Sequence, residues 1–295
     1  MSPLVALLLD WLITALWPLI GAVGIRHYSG IFFAAGGLMV GLVLLSPWLA
    51  AHGRWRRIFS WSAAPYLATM GFCSGLATVI YISALSYTTP ANAAIVAQVE
   101  VLYSAALCAW LLGERPGRRQ IAASLLVMAG TGLVMAHDFA SDRWRGDLMI
   151  LATPWLYQVS HIAAKRLPRD MDALTLSGGR VIYGLATMAP FCLWAATHGA
   201  RWSWAPAALG MLVVQGAVMS SLNFVLWYKA IMGMDLSKAT VIMLSYPALT
   251  VVFSWLLGRE HIGATQLAGL VVTMSGAMWT SSLVLEAQRR REHAR

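Results

Sequence analysis

Apolar residues run along this chain in blocks of roughly twenty, and the charged residues collect in the short gaps between them. A helix needs about that length, at ~1.5 Å per residue, to cross ~30 Å of hydrocarbon. The blocks lie at 4–25, 29–50, 62–86, 91–112, 119–137, 147–164, 172–197, 205–228, 238–257 and 263–284. They lack the two-residue alternation of barrel strands, and an open sheet cannot satisfy its backbone in lipid. The pattern therefore predicts an all-α integral membrane protein with ten transmembrane helices.

Two of these blocks end almost identically, as Trp110-Leu111-Leu112-Gly113-Glu114-Arg115 and Trp255-Leu256-Leu257-Gly258-Arg259-Glu260. The register extends backwards at an offset of 145, pairing Ala94 with Ala239 and Val96 with Val241. The extra residue Arg259 shifts it to 146, after which Gln120 pairs with Gln266, Met128 with Met274 and Gly130 with Gly276. The chain thus divides into a first five-helix repeat at 1–139, a second at 145–284 and a basic cytoplasmic tail at 285–295. Five is odd, so the second repeat enters the membrane inverted relative to the first. Such symmetry is common in secondary transporters, whose substrate site lies near the midplane where the halves meet.

Charge sets the orientation. With a cytoplasmic N-terminus, fifteen Lys and Arg fall inside and five outside, with Arg180 left within a block. The inside set includes Arg54, Arg56, Arg57, Arg115 and Lys229, and the outside set is Arg26, Arg143, Arg145, Arg201 and Arg259. Basic residues are retained on the inner face, so both termini are expected in the cytoplasm, and the net charge of +9 needs no nucleic acid to explain it. The cysteines, Cys73, Cys108 and Cys192, are odd in number and lie inside blocks, which argues against a disulfide framework. No Cys/His spacing suggests a metal, and no cofactor is implied. The first block lacks a basic leader and is long enough to cross, so it reads as an uncleaved helix.

Further short motifs carry a resemblance. Ala84-Leu85, Pro90 to Ala94, the Trp110 to Arg115 ending and Gly130-Thr131-Gly132 are similar to an EamA domain of the drug/metabolite transporter superfamily. Ala239, Pro247, Leu256-Leu257-Gly258, Glu260, Gln266 and Gly269 to Gly276 resemble a second one. The likeness covers the whole chain and implies ten helices around a central cavity, lined mainly by the first four helices of each repeat. It also implies export of amino acids or other metabolites, and a bacterial inner (plasma) membrane is the expected location.

Against that apolar background the buried polar residues are the candidate chemistry. Glu100 lies about ten residues into the fourth block, too deep to reach either interface, and its repeat counterpart is the uncharged Ser245. An ionised acid at that depth costs about 2.5–3.5 kcal/mol on insertion scales, so it either binds a substrate ammonium, exchanges a proton, or locks helices together. Arg180 can pair with Glu100, hold a substrate carboxylate bidentately, or snorkel to the cytoplasmic face. Asp10 sits some six residues into the first helix, roughly 9 Å, and is expected to reach cytoplasmic water, with coupling as the alternative role. Thr14, Trp17 and Gly21 share its face, and that stripe resembles the pore-facing side of the first helix in the family. Tyr103 shares the face of Glu100. Tyr81, Trp155 with Gln158, Asn223 with Trp227, and Ser245 with Tyr246 are candidate aromatic walls and hydrogen-bonding groups, set against the ordinary roles of interfacial belt and packing. Pro18 and Pro247 fall within blocks and are candidate hinges.

The reading is a secondary transporter that exports small metabolites by alternating access, amino acids or amino-acid-like compounds first, with protons as a candidate coupling partner. The alternatives are a multidrug or organic-cation exporter and a non-transporting membrane scaffold or receptor. An intramembrane enzyme finds no support, since no His-Glu-x-x-His, Gly-x-Ser-x-Gly or paired-acid arrangement appears.

Overall fold

The computed structural model describes residues 1–293 apart from 101, 104, 105, 107–116, 139–142, 168–170, 234–238, 240, 241, 259 and 260. The Trp110 to Arg115 ending, Cys108, Val241, the inserted Arg259 with Glu260, and the junction before residue 143 therefore lie outside the described residues. All regular secondary structure among the described residues is helical. In chain order it comprises α1 (Pro3–Gly24), α2 (Gly30–Ala51), α3 (Trp55–Ile58), α4 (Ala64–Ala84) and α5 (Pro90–Val96), the last continued by a 3-10 turn at Ala97–Val99. Next come α6 (Arg118–Asp138), α7 (Trp144–Leu151), α8 (Pro154–Lys165) and α9 (Ala173–Thr197). A run of α10 (Pro206–Val214), a π-helical segment (Gln215–Asn223) and α11 (Phe224–Gly233) precedes α12 (Tyr246–Leu256) and α13 (Ala264–His293). Among the described residues α1, α2, α4 and the Pro206–Gly233 run are long and apolar enough to cross a membrane.

Local chemistry explains where these helices begin and end. Ser2 caps α1 by accepting from the Val5 amide at 3.3 Å, Thr89 caps α5 through the Asn92 amide, and Asp172 caps α9 through the Thr175 amide at 2.9 Å. Proline occupies the first turn of α1, α4, α5, α8, α10 and α12, where its missing N–H has no helical partner to lose. Two helices end on the same device. In Trp48 to Gly53 and again in Trp194 to Gly199, a histidine nitrogen pairs with the carbonyl of the tryptophan four residues before it, at 3.0 and 2.8 Å. The glycine that follows adopts a positive φ of 62° or 73°, which the helix stop requires.

The blocks are less uniform than their hydropathy suggests. The fourth does not continue as a plain α-helix, because α5 tightens into the 3-10 turn immediately before Glu100. The sixth is broken at Ala152 and Thr153, where Pro154 cannot supply an amide and the Thr153 hydroxyl donates instead to the Ile150 carbonyl at 2.8 Å. The eighth contains the π-helical segment. Pro247, expected inside a span, lies in the first turn of α12 and kinks no helix interior, whereas Pro18 does stand inside α1.

Buried glycines set the helix pairs. A Cβ on Gly130 of α6 would stand 2.5 Å from the Thr273 amide nitrogen of α13, and one on Gly216 would stand 2.9 Å from the Gly37 carbonyl oxygen of α2. Gly71 of α4 and Gly184 of α9 approach as closely, since a Cβ on Gly71 would lie 2.6 Å from the Gly184 nitrogen. With no hydrophobic effect to drive helices together in lipid, such backbone approach supplies the van der Waals contact. The buried apolar side chains fall into two large clusters. One joins the start of α1, the end of α2 and the start of α4 through Leu7, Leu49 and Leu67. The other joins their opposite ends through Ile25, Phe33 and Ile82. Large apolar side chains such as Trp48, Leu125, Leu193, Trp194 and Val271 face outward, as a lipid-facing surface requires.

Candidate functional site

Most of the predicted polar residues fall into two groups among the described residues. In the first, Glu100 follows the 3-10 turn and its Oε1 accepts from Gln158 Nε2 of α8 at 2.5 Å. The turn before Pro154 starts α8 afresh and presents Tyr157 and Gln158 to the interior. Tyr157 shares a hydrogen bond of 3.1 Å with Thr78 of α4, and its ring meets Trp17 edge-on at 6.3 Å. Trp17 in turn stacks on Tyr81 at 4.3 Å and 15°. The Tyr81 hydroxyl is buried with no partner among the described residues. Tyr246 stands at the start of α12, and Gln98 lies buried in the 3-10 turn before Glu100. An acid held by one amide and walled by aromatic rings suits a small organic cation, through charge and through the ring faces.

The second group lies between α1, α9 and α11. Asp10, expected at the interface, is instead 1% exposed, because the π-helical segment ends on Asn223 and brings its amide against α1. Asn223 Nδ2 donates to Asp10 Oδ1 at 2.7 Å and to Thr14 Oγ1 at 3.0 Å. Arg180 is 6% exposed and neither snorkels nor pairs with Glu100. Its guanidinium lies 3.8 Å over the Phe224 ring, and Nη1 donates a long 3.4 Å bond to the Tyr228 hydroxyl. Among the described residues the one salt bridge within 4.0 Å joins Arg54 to Asp172, so no carboxylate neutralises Arg180 by contact. A buried guanidinium with no contacting carboxylate among the described residues is costly unless something else supplies the anion.

The remaining predicted positions separate. Trp227 sits 5.3 Å from the His161 ring with its indole nitrogen buried and unpartnered among the described residues. Tyr103 commits its hydroxyl to the Leu151 carbonyl at 3.1 Å, and Ser245 donates to the Ile242 carbonyl at 2.7 Å, so both serve local structure. Trp155 is 45% exposed and makes no ring contact among the described residues, although Gln158 on the same helix reaches Glu100. The structure adds Thr78, Gln98, Tyr157, His161, Phe224 and Tyr228. Tyr157 adjoins Gln158, and Tyr228 and Phe224 flank Trp227, so sequence neighbours of the predicted residues were the available signal.

A model of the EamA-like transporter family matches this chain twice, over residues 1–136 and 144–282. An uncharacterized transporter of Archaeoglobus fulgidus is 24% identical over 248 residues, covering 81% of this chain and 85% of its own. A probable terminal-alkyne amino-acid exporter of Streptantibioticus cattleyicolor is 27% identical over 201 residues, 67% of this chain and 66% of its own. A solved crystal structure shares the fold at a TM-score of 0.67 and 20% identity, covering 96% of this chain and 97% of that one.

Proposed function

The chain belongs to the EamA-like transporter family of the drug/metabolite transporter superfamily, and we propose that it exports amino acids or amino-acid-like metabolites from a bacterial cytoplasm by alternating access. It is an integral membrane protein whose partners are a small-molecule substrate and the lipid bilayer. The observation that carries the substrate class is a pair of opposite interior charges, Glu100 and Arg180, that do not neutralise each other. A zwitterion meets both, with its ammonium at Glu100 and its carboxylate at Arg180, while Trp17, Tyr81 and Tyr157 face its side chain. Glu100 exchanges a proton for the ammonium. The amino-acid exporter among the relatives supports the same class.

The transport cycle in this reading uses ten spans in two inverted repeats with both termini cytoplasmic, in the inner membrane. Support comes from the two stretches matched by the family model and from the repeated Trp-to-Gly helix stop, offset by 146 residues. Reciprocal packing supports it as well: α2 lies on the π-helical segment, α4 on α9, and α6 on α13. These are the second helix of one unit on the third of the other, the converse, and the fifth on the fifth. Pro18 and Pro247 stand as hinge points at a helix interior and a helix start.

A second reading, export of organic cations, is favoured by Asp10, an interior carboxylate that Asn223 holds beside the segment fixing Arg180, which leaves Glu100 as the open pole. Uptake by the purified protein in liposomes decides between them. Amino acids should be carried, and Glu100→Gln should abolish their transport while eluting as folded protein. Carriage of amines alone supports the second reading, and no carriage of either class sinks both.

A further inference from the structure

Asp10 is an interior carboxylate to which the transport reading gives no task, yet it is fixed by the same short segment that fixes Arg180. Asn223 holds Asp10 at 2.7 Å, and the next residue, Phe224, lies 3.8 Å beneath the guanidinium. Asp10 is thereby held one residue along from the contact that fixes Arg180, across a gap rather than in contact, since no carboxylate comes within 4.0 Å of the guanidinium among the described residues. Among the described residues its hydrogen bond is the one of 3.4 Å to the neutral Tyr228 phenol, which leaves donors for a ligand. Resting on the assignment of the substrate carboxylate to Arg180, we propose that Asp10 is the internal counter-anion of Arg180, that a bound carboxylate takes over this role, and that Asp10 then takes up one proton.

The physical reason is the low dielectric of the interior, where a second carboxylate at one guanidinium pushes one of the two toward its protonated form. The bound carboxylate reaches the guanidinium directly, whereas Asp10 stays tied to Asn223, so Asp10 is the one that protonates. Other groups near α1 do not replace it. α2, α5, α10 and the π-helical segment carry no titratable side chain. α4 brings Tyr66, Cys73 and Tyr81, α12 brings Tyr246, and α11 brings Tyr228 and the exposed Lys229. α8 brings Tyr157, His161 and Lys165, and α9 brings Arg180 itself with Tyr183 and Cys192.

The consequence is a proton balance set by the charge of the substrate. An amine alone displaces a proton from Glu100, a carboxylate alone adds one at Asp10, and a zwitterion does both and leaves the total unchanged. Three probes with one ring test it: phenethylamine, 3-phenylpropionate and L-phenylalanine, titrated calorimetrically into the purified full chain in buffers of different ionisation enthalpy. 3-Phenylpropionate should bind with uptake of about one proton, its Kd rising up to about tenfold per pH unit on the alkaline side. Asp10→Asn should bind it more tightly at alkaline pH and with no proton uptake, because the competing anion is gone. Arg180→Gln should weaken it by about tenfold or more, the loss of a charge-assisted contact, and spare phenethylamine. Failure of 3-phenylpropionate to bind, or proton uptake that persists in Asp10→Asn, overturns the inference. A merely structural Asp10 would weaken binding without changing its pH dependence, and that result overturns it too. If Asp10→Asn does not fold, the infrared difference spectrum of Glu100→Gln on adding 3-phenylpropionate must gain a protonated carboxyl band, and absence of the band is equally fatal. Proton release by phenethylamine reads Glu100 and proton uptake by 3-phenylpropionate reads Asp10, so the two assignments fail separately.

Discussion

Asp172 does two jobs with its two oxygens, and substitution separates them. Oδ1 accepts from the Thr175 amide at 2.9 Å and the Thr175 hydroxyl at 2.6 Å, capping α9, while Oδ2 accepts from Arg54 Nε at 2.9 Å and from Arg54 Nη2. Asp172→Asn keeps an acceptor for the cap but turns a donor or a neutral oxygen toward the guanidinium. Asp172→Ala loses both. A helix cap contributes about 0.5–2 kcal/mol, and an ion pair whose aspartate side chain is 44% exposed contributes no more than about 1 kcal/mol. The asparagine variant should therefore lose at most about 1 kcal/mol and the alanine variant about 1–3 kcal/mol, with a fall of about 2–4 °C in Tm per kcal/mol. Burial pushes the Asp172 carboxyl up, but the hydrogen bonds from Arg54 and Thr175, with the charge of Arg54, outweigh it and hold the group below the usual carboxylate range. A depressed folded value means the stabilisation is present at neutral pH and lost as pH falls through the carboxylate range. The gap between wild type and Asp172→Asn should accordingly close in acid, and shrink in high salt at neutral pH. Thermal unfolding in detergent reads all three. Equal destabilisation by asparagine and alanine, or a gap that widens in acid, would refute the division of labour.

Cysteine at Ser203 should react with an impermeant thiol reagent from outside intact cells and cysteine at Ser60 should not; the reverse pattern overturns the proposed orientation. Trp17→Ala should weaken carriage of aromatic substrates by about 2- to 10-fold through loss of its stacked partner, measured as KM in liposomes, whereas Trp155→Ala should leave it within about twofold. Gly130→Ala should lower the unfolding temperature, since its Cβ would stand 2.5 Å from the Thr273 nitrogen, at a cost of about 1–3 kcal/mol. Gly132→Ala, with nothing within 4 Å, is the control, and a loss as large there would show that the Gly130 effect is not close packing.

Legibility in the sequence followed the range of the interaction. The apolar blocks reported helices well because hydropathy and length are properties of a segment, and α1, α2, α4 and α9 lie within a few residues of 4–25, 29–50, 62–86 and 172–197. Interruptions were hidden because a 3-10 turn at Ala97–Val99 or a π-helical segment at Gln215–Asn223 leaves composition unchanged while rotating every later side chain. Two placements differ from expectation. The sixth block put Trp155 and Gln158 on one working face, but within α8 Gln158 reaches Glu100 while Trp155 is turned outward. Depth along α1 correctly put Asp10 about 9 Å from the helix start, yet depth measures distance to water only when the chain around it is open. The widened segment ending at Asn223 closes that path from across the bundle, 213 residues away in sequence. The same logic ranks the site residues: Glu100 and Arg180 were recognisable singly, because a charge in a hydrocarbon block has few explanations, whereas their failure to pair is a relation between distant helices. It is that relation, two interior charges of opposite sign held on different helices without pairing, that makes a membrane-embedded bundle a candidate binding site for a zwitterion.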